Sequence, residues 1–355
     1  MRTHFKKALL LLLFIICSIP EMFSQASPEF SFSRNHVIIK GIDDSNKVPK
    51  IYRGHLLEEE ITKTRTAILG KTIQEKGRIR FTPFVPFNWE QDYTIVYNRT
   101  YTYFHLKIPD DYQFISVKGV YPSADEVPAN LLKWYVQFSK PINETAIYDH
   151  IHFLNRSGDT IPRAVLDFTN ALISEDSKLL TVWIEPGRQK RDLIPNQELG
   201  PVFEEGKTYT LVISGIKDQA GVQMKDHFTK QFQVAKADRQ QPDIHSWKIT
   251  PPKRNTQLQL IIDCKESLDY GSTIESMQIV DSNNNLIEGN WQFSNKESTL
   301  SFNPLKKWNK ESYTVFFNPK LEDLAGNNLD RLFDRKVGEL SSSVVSEYSL
   351  NFKVQ

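Results

Sequence analysis

Residues 132–139 read Leu-Lys-Trp-Tyr-Val-Gln-Phe-Ser, and residues 258–265 read Leu-Gln-Leu-Ile-Ile-Asp-Cys-Lys. In the first, Leu132, Trp134, Val136 and Phe138 alternate with Lys133, Tyr135, Gln137 and Ser139. In the second, Leu258, Leu260, Ile262 and Cys264 alternate with Gln259, Ile261, Asp263 and Lys265. Period-two alternation is the signature of a strand with one face in a core. The two segments lie 126 residues apart, and the correspondence continues without a gap. Ile142-Asn143 falls on Leu268-Asp269, and Ile151-His152-Phe153-Leu154 falls on Met277-Gln278-Ile279-Val280. The turn Asn155–Asp159 falls on Asp281–Asn285. Both turns are rich in residues that tolerate positive φ, so each is expected to close a β-hairpin.

A second block occurs three times. Phe81-Thr82-Pro83 precedes Trp89 and Tyr93-Thr94-Ile95-Val96. Ile184-Glu185-Pro186 precedes Gly206 and Tyr209-Thr210-Leu211-Val212. Phe302-Asn303-Pro304 precedes Trp308 and Tyr313-Thr314-Val315-Phe316. Each predicts a strand, a Pro-marked end, a turn and a second strand, with its Tyr at the place of a sandwich corner tyrosine. Turns at Asp218–Gly221 and Asp323–Asn327 follow. Each unit then closes on a short strand: Leu106–Ile108, Phe232–Val234 and Phe352–Val354. The repeats predict units at about 27–112, 113–237 and 242–355, joined after the second by the polar, Pro-containing stretch Asp238–Asp243. The third unit closes at the end of the sequence, which leaves this reading no room for a separate sorting domain. No sustained helical period occurs beyond a turn or two near Leu56–Thr64. The expected class is all-β: tandem immunoglobulin-like β-sandwich domains after an N-terminal signal peptide.

The path from Val120-Tyr121-Pro122 through Phe138-Ser139-Lys140-Pro141-Ile142-Asn143 to Asp218-Gln219-Ala220-Gly221 resembles a bacterial immunoglobulin-like domain of the surface-layer SbsA type. The third unit departs from the pattern at Cys264 and Ser267 but keeps Asp323–Asn327 complete. The second has Val222 where Asn is usual. The resemblance covers about two thirds of the mature chain. It implies an extracytoplasmic spacer or adhesive module, and its motifs carry no chemistry.

Residues 1–25 read as a secretory signal. Arg2, Lys6 and Lys7 precede an apolar run from Ala8 to Ile19, and cleavage is expected after Ser24 or Ala26. The run stops at Pro20 and Glu21, short of the roughly 20 apolar residues a membrane span needs. No other stretch would cross a bilayer, so the expected location is extracytoplasmic: periplasm, cell surface or secreted. The formal net charge of +1 becomes about −1 once three cations and one anion leave with the signal. No like-charge block suggests nucleic acid. Of two cysteines, Cys17 lies in the signal, where the preceding Ile16 does not suit lipidation. Cys264 remains alone, so neither an intramolecular disulfide nor a cysteine-based metal site is available.

The sequence carries no recognisable catalytic motif. His150 and His152 share a strand face, but their counterparts Ser276 and Gln278 mark that face as polar. Glu204-Glu205 and Asp110-Asp111 read as solvated loop carboxylates. Asp281–Asn285 and Asp323 with Asn327 are oxygen-rich, yet turn chemistry explains them without calcium. Cys264 occupies the register of Phe138 and is expected in the core. Catalytic residues, metal ligands and cofactors are therefore expected to be none. The second unit carries 17 residues, Gly187 to Phe203, where the third has Leu305–Lys307. Long loops on rigid scaffolds often bind. The cluster Arg188, Lys190 and Arg191 is the candidate site for an anionic glycan, a carboxylate or an acidic protein surface, against the plainer expectation of a solvated loop packed across the domain junction. The functional expectation is an exported non-catalytic module binding an envelope protein or glycan, or acting as a spacer. An accessory subunit of an exported enzyme or polysaccharide-handling system, and an unrecognised hydrolase, stand as alternatives.

Overall fold

A computed structural model describes residues 28–42, 47–64, 66–75, 77–191, 193–334 and 348–355. The signal segment and Cys17 lie outside the described residues. The chain divides into two compact units, residues 1–109 and 110–355.

The first unit is one sandwich. Its strands are β1 (Glu29–Ser33), β2 (His36–Lys40), β3 (Lys50–Arg53), β4 (Gly70–Glu75), β5 (Arg78–Pro83), β6 (Gln91–Tyr97) and β7 (Thr100–Leu106), with a short helix α1 (Glu58–Thr64) after β3. One sheet is ordered β1-β2-β5-β4 and the other β3-β6-β7. Val37, Ile39, Ile79 and Phe81 from one sheet meet Ile51, Tyr93, Ile95 and Phe104 from the other.

The second unit contains two sandwiches with separate cores. The first of these holds β8 (Val117–Tyr121), β9 (Glu126–Pro128), β10 (Lys133–Phe138), β11 (Ile151–Leu154), β12 (Leu172–Ile173), β13 (Leu179–Trp183), β14 (Thr208–Ile213) and β15 (Phe228–Ala235). Its sheets are ordered β12-β13-β10-β8 and β11-β14-β15-β9, with β9 parallel to β15. The other holds β16 (Lys248–Thr250), β17 (Leu260–Asp263), β18 (Met277–Val280), β19 (Gly289–Ser294), β20 (Thr299–Pro304), β21 (Ser312–Phe317) and β22 (Tyr348–Lys353), in sheets β16-β17-β20-β19 and β18-β21-β22. We call these the second and third sandwiches. The fold is all-β and immunoglobulin-like.

The repeated motifs do repeated structural work. The backbone N–H of Asn88 donates to the Tyr93 hydroxyl at 2.7 Å, that of Glu204 to Tyr209 at 3.1 Å, and that of Asn309 to Tyr313 at 2.9 Å. All three tyrosines are buried, and each hydroxyl satisfies a main-chain donor at the turn before its strand. The Asp turns are also built alike. Asp218 Oδ1 accepts from the N–H groups of Ala220 and Val222, and Asp323 Oδ1 from those of Ala325 and Asn327. Gly221 and Gly326 complete them at φ +80° and +78°, a region that favours glycine.

The opening segment differs from its one-sided reading. Trp134, Val136 and Phe138 are in the core, but Lys133 and Tyr135 on the opposite face are buried as well. The third sandwich covers them. In the matching strand, Leu260, Ile262 and Cys264 are fully buried, whereas Leu258 precedes the strand and is 54% exposed.

Candidate functional site

The insertion after β13 is folded rather than slack. Pro186 opens helix α2 (Pro186–Gln189), and the Glu185 side chain accepts from the Gly187 N–H at 3.1 Å. Helix α3 (Ile194–Leu199) follows and stops at Gly200, φ +69°. A Cβ on Gly187 would lie 2.9 Å from the Pro195 ring, so the two short helices pack at a distance that only glycine allows.

Arg188 holds this element together. It is 4% exposed, and its guanidinium donates to four main-chain carbonyls. Nε reaches Gly200 at 2.9 Å, Nη1 reaches Pro162 at 2.7 Å, and Nη2 reaches Leu199 at 3.2 Å and Pro201 at 2.8 Å. Burial lowers its pKa. Four of its five N–H groups are engaged, so the side chain works as an internal strut. Asn196 Nδ2 in turn donates to the Arg188 carbonyl.

The other two cations of the cluster turn toward the third sandwich. Lys190 Nζ lies 4.4 Å from the centroid of the Phe333 ring. Arg191 Nε pairs with Asp334 Oδ2 at 2.7 Å, and Asp334 is 8% exposed. Arg239 approaches the same carboxylate at 3.8 Å. The insertion thus packs across the junction. Beside exposed Gln197 and Glu198 it presents three aliphatics: Leu193, Ile194 and Leu199 are 44%, 68% and 40% exposed. Sequence reasoning on charge passed over these three. The pair Leu193-Ile194 before Pro195, with Leu199 four residues beyond it, was the available signal.

The junction beneath is polar and buried. Lys133 contacts Glu322 and lies 3.7 Å from Asp269. The Tyr135 hydroxyl bridges both Asp269 oxygens at 2.9 and 3.0 Å. Burial disfavours the Lys133 ammonium, but the two carboxylates outweigh that and hold its pKa above the ordinary lysine value. Burial pushes Glu322 up against the opposing pull of Lys133. Tyr121 stacks on Tyr270 of helix α4 (Tyr270–Ile274) at 4.0 Å. Leu324, from the third sandwich's Asp turn, enters the second sandwich's core. The stretch 238–243 is pinned: Asn130 Nδ2 donates to the Asp238 carbonyl, and the Asp238 N–H returns a bond to Asn130 Oδ1.

The remaining candidates fall as follows. His150 and His152 do not share a strand: His150 ends the 3-10 turn Ile147–His150, His152 lies on β11, and both are half-buried. Glu204 pairs with Lys207 at 2.7 Å. The Asp281 oxygens accept from the Asn283 and Asn285 N–H groups and from Asn285 Nδ2. Cys264 is fully buried, and burial pushes its thiol pKa up. Among the described residues, no group of three or more His, Cys, Asp or Glu could hold a metal ion, and no helix is long and apolar enough to cross a membrane.

No protein-family model matches the chain, and no curated protein matches it. Solved structures do. The S-layer protein rSbsC(31-844) matches at 17% identity over 57% of this chain and 23% of its own, with a TM-score of 0.24. Latent PorU from Porphyromonas gingivalis matches at 12% identity over 91% of this chain and 32% of its own, TM-score 0.23. The chicken CNTN1 FN1-FN3 domains match at 9% identity over 92% of this chain and 98% of their own, TM-score 0.19. The chain spans about a quarter of the length of the S-layer structure.

Proposed function

We propose that this chain is an exported, non-catalytic immunoglobulin-like protein of the cell envelope, SbsA-like in its second and third sandwiches, which holds a partner protein against the insertion of the second. The observation that carries this reading is the Arg188-braced element presenting Leu193, Ile194 and Leu199. An apolar group on a rigid, polar-rimmed element marks a protein contact more often than a solvent-facing accident. Bracing by Arg188 lowers the ordering cost of such a contact. The export signal read in residues 1–25 supports the location.

The test is in-cell photo-cross-linking from position 194 of the tagged mature protein, beside an L193S/L199S variant carrying the same cross-linker. One dominant cross-linked protein, lost in the variant, is the expected result. The same diffuse pattern from both forms would overturn the contact and leave a spacer role.

A further inference from the structure

Beside the junction, the parallel pairing of β9 with β15 sets a polar row across three strands. Gln233 pairs with Glu126 on one side and with Thr208 on the other. Paired residues on neighbouring strands face the same way, so a carboxylate, an amide and a hydroxyl stand in line on the outer face. Gln231 lies on that face two residues along the strand, opposite Thr210. These side chains floor a cleft of about 750 Å³, walled by Asp125 and Arg156 of the second sandwich and Lys296 of the third. The Phe232 ring is turned into the core.

The wall carrying Lys296 is strained. Asn295, Lys296 and Glu297 are consecutive non-glycine residues at φ 50°, 58° and 60°. Each costs about 1–2 kcal/mol, and such geometry persists where its surroundings impose it. These residues form the loop of the β19–β20 hairpin, and the second sandwich holds it: buried Glu297 Oε2 accepts from the Ser123 N–H at 2.7 Å, and the exposed Lys296 Nζ meets Asp125 Oδ2 at 3.3 Å. The Glu297 bond fastens this wall to the second sandwich.

We infer that this cleft binds a segment of an uncharged oligosaccharide. Asp125 and Glu126 cancel Arg156 and Lys296, so the lining favours neither an anion nor a cation. The floor offers donors and acceptors together, since each amide supplies both, and it offers no apolar side chain to an apolar ligand. Neighbouring strands lie about 4.8 Å apart, close to the rise of one sugar unit along an extended glycan. Successive units can then present hydroxyls to Glu126, Gln233 and Thr208. Clefts at domain junctions are common ligand sites.

The test uses the full mature chain and isothermal titration with cellohexaose, chitohexaose and maltohexaose, with hexagalacturonate as the anionic comparison. At least one neutral hexamer is expected to bind, and Q231A/Q233A is expected to weaken it by about tenfold or more while leaving the melting temperature unchanged, because both glutamines are exposed. L193S/L199S is expected to leave the binding intact, which separates this site from the proposed protein contact. Binding by none of the neutral hexamers, equal binding by the glutamine variant, or binding by hexagalacturonate alone would each overturn the assignment.

Discussion

Replacing Lys133 with methionine keeps the aliphatic stem and deletes the ammonium between Glu322 and Asp269. The Lys133 side chain is 10% exposed, Asp269 5% and Glu322 22%, so little solvent stands ready to take over the missing charge. Removing one partner of a buried ion pair costs about 3–5 kcal/mol, because the abandoned charges stay desolvated. Two carboxylates share this one cation, while the Tyr135 hydroxyl still serves Asp269, so the middle of that range is the reasonable figure. For a unit of this size a loss of about 4 kcal/mol corresponds to roughly 8–16 °C in melting temperature. Scanning calorimetry at neutral pH would read it, and only the transition of residues 110–355 should move. The triple variant K133M/D269N/E322Q removes both abandoned charges and is expected to recover most of the loss. A K133M protein within about 0.5 kcal/mol of wild type would refute the reasoning, since the junction would then not depend on its cation.

Tyr93→Phe, Tyr209→Phe and Tyr313→Phe each strand a turn N–H and should cost about 1–3 kcal/mol, with Tyr93→Phe lowering only the first unit's transition in calorimetry. Gly271→Ala places a Cβ 2.5 Å from the Tyr135 hydroxyl and 2.6–2.7 Å from ring carbons. It should therefore destabilise the junction as Tyr135→Phe does, read as coincident shifts in urea midpoint. Burial pushes the Asp323 carboxyl up to about 8, from an ordinary 3.8. A raised folded pKa gives stability that is complete below the ordinary value and lost as pH rises toward the folded one. Unfolding free energy of residues 110–355 should thus fall between about pH 4 and pH 8, by at most about 1.4 kcal/mol per pH unit for this group. Asp323→Asn should flatten that slope, and an unchanged slope in the variant would remove Asp323 as its source.

Much of the architecture was readable because sandwich strands announce one face at a time. The alternation at Trp134, Val136 and Phe138, the turn at Asn155–Asp159 and the spacing of the three corner tyrosines are local signals, and local physics fixes them. What escaped was the far side of the same strands. Lys133 and Tyr135 look like solvent-facing residues because nothing in their own segment names Asp269 or Glu322, which lie more than a hundred residues on. The insertion was visible as extra length, and its basic residues drew attention as charge. A sequence does not show that an arginine's donors are consumed by four carbonyls. It therefore did not separate Arg188, an internal strut, from Leu193 and Ile194, which face outward. The helices α2 and α3 are too short for a period to register, and proline and glycine place their ends.

The strut at Arg188 also bears on how this protein can change over time. Its bonds close a ring from Pro162 through Gly200 and Pro201 that does not involve the exposed side chains of Leu193, Ile194, Glu198 and Leu199. Those positions can drift, or be exchanged wholesale, while the sandwich below keeps its shape. A small cassette of this kind separates the evolution of what is recognised from the evolution of what is stable. The same property makes the segment a place to graft foreign recognition sequences onto an otherwise untouched scaffold.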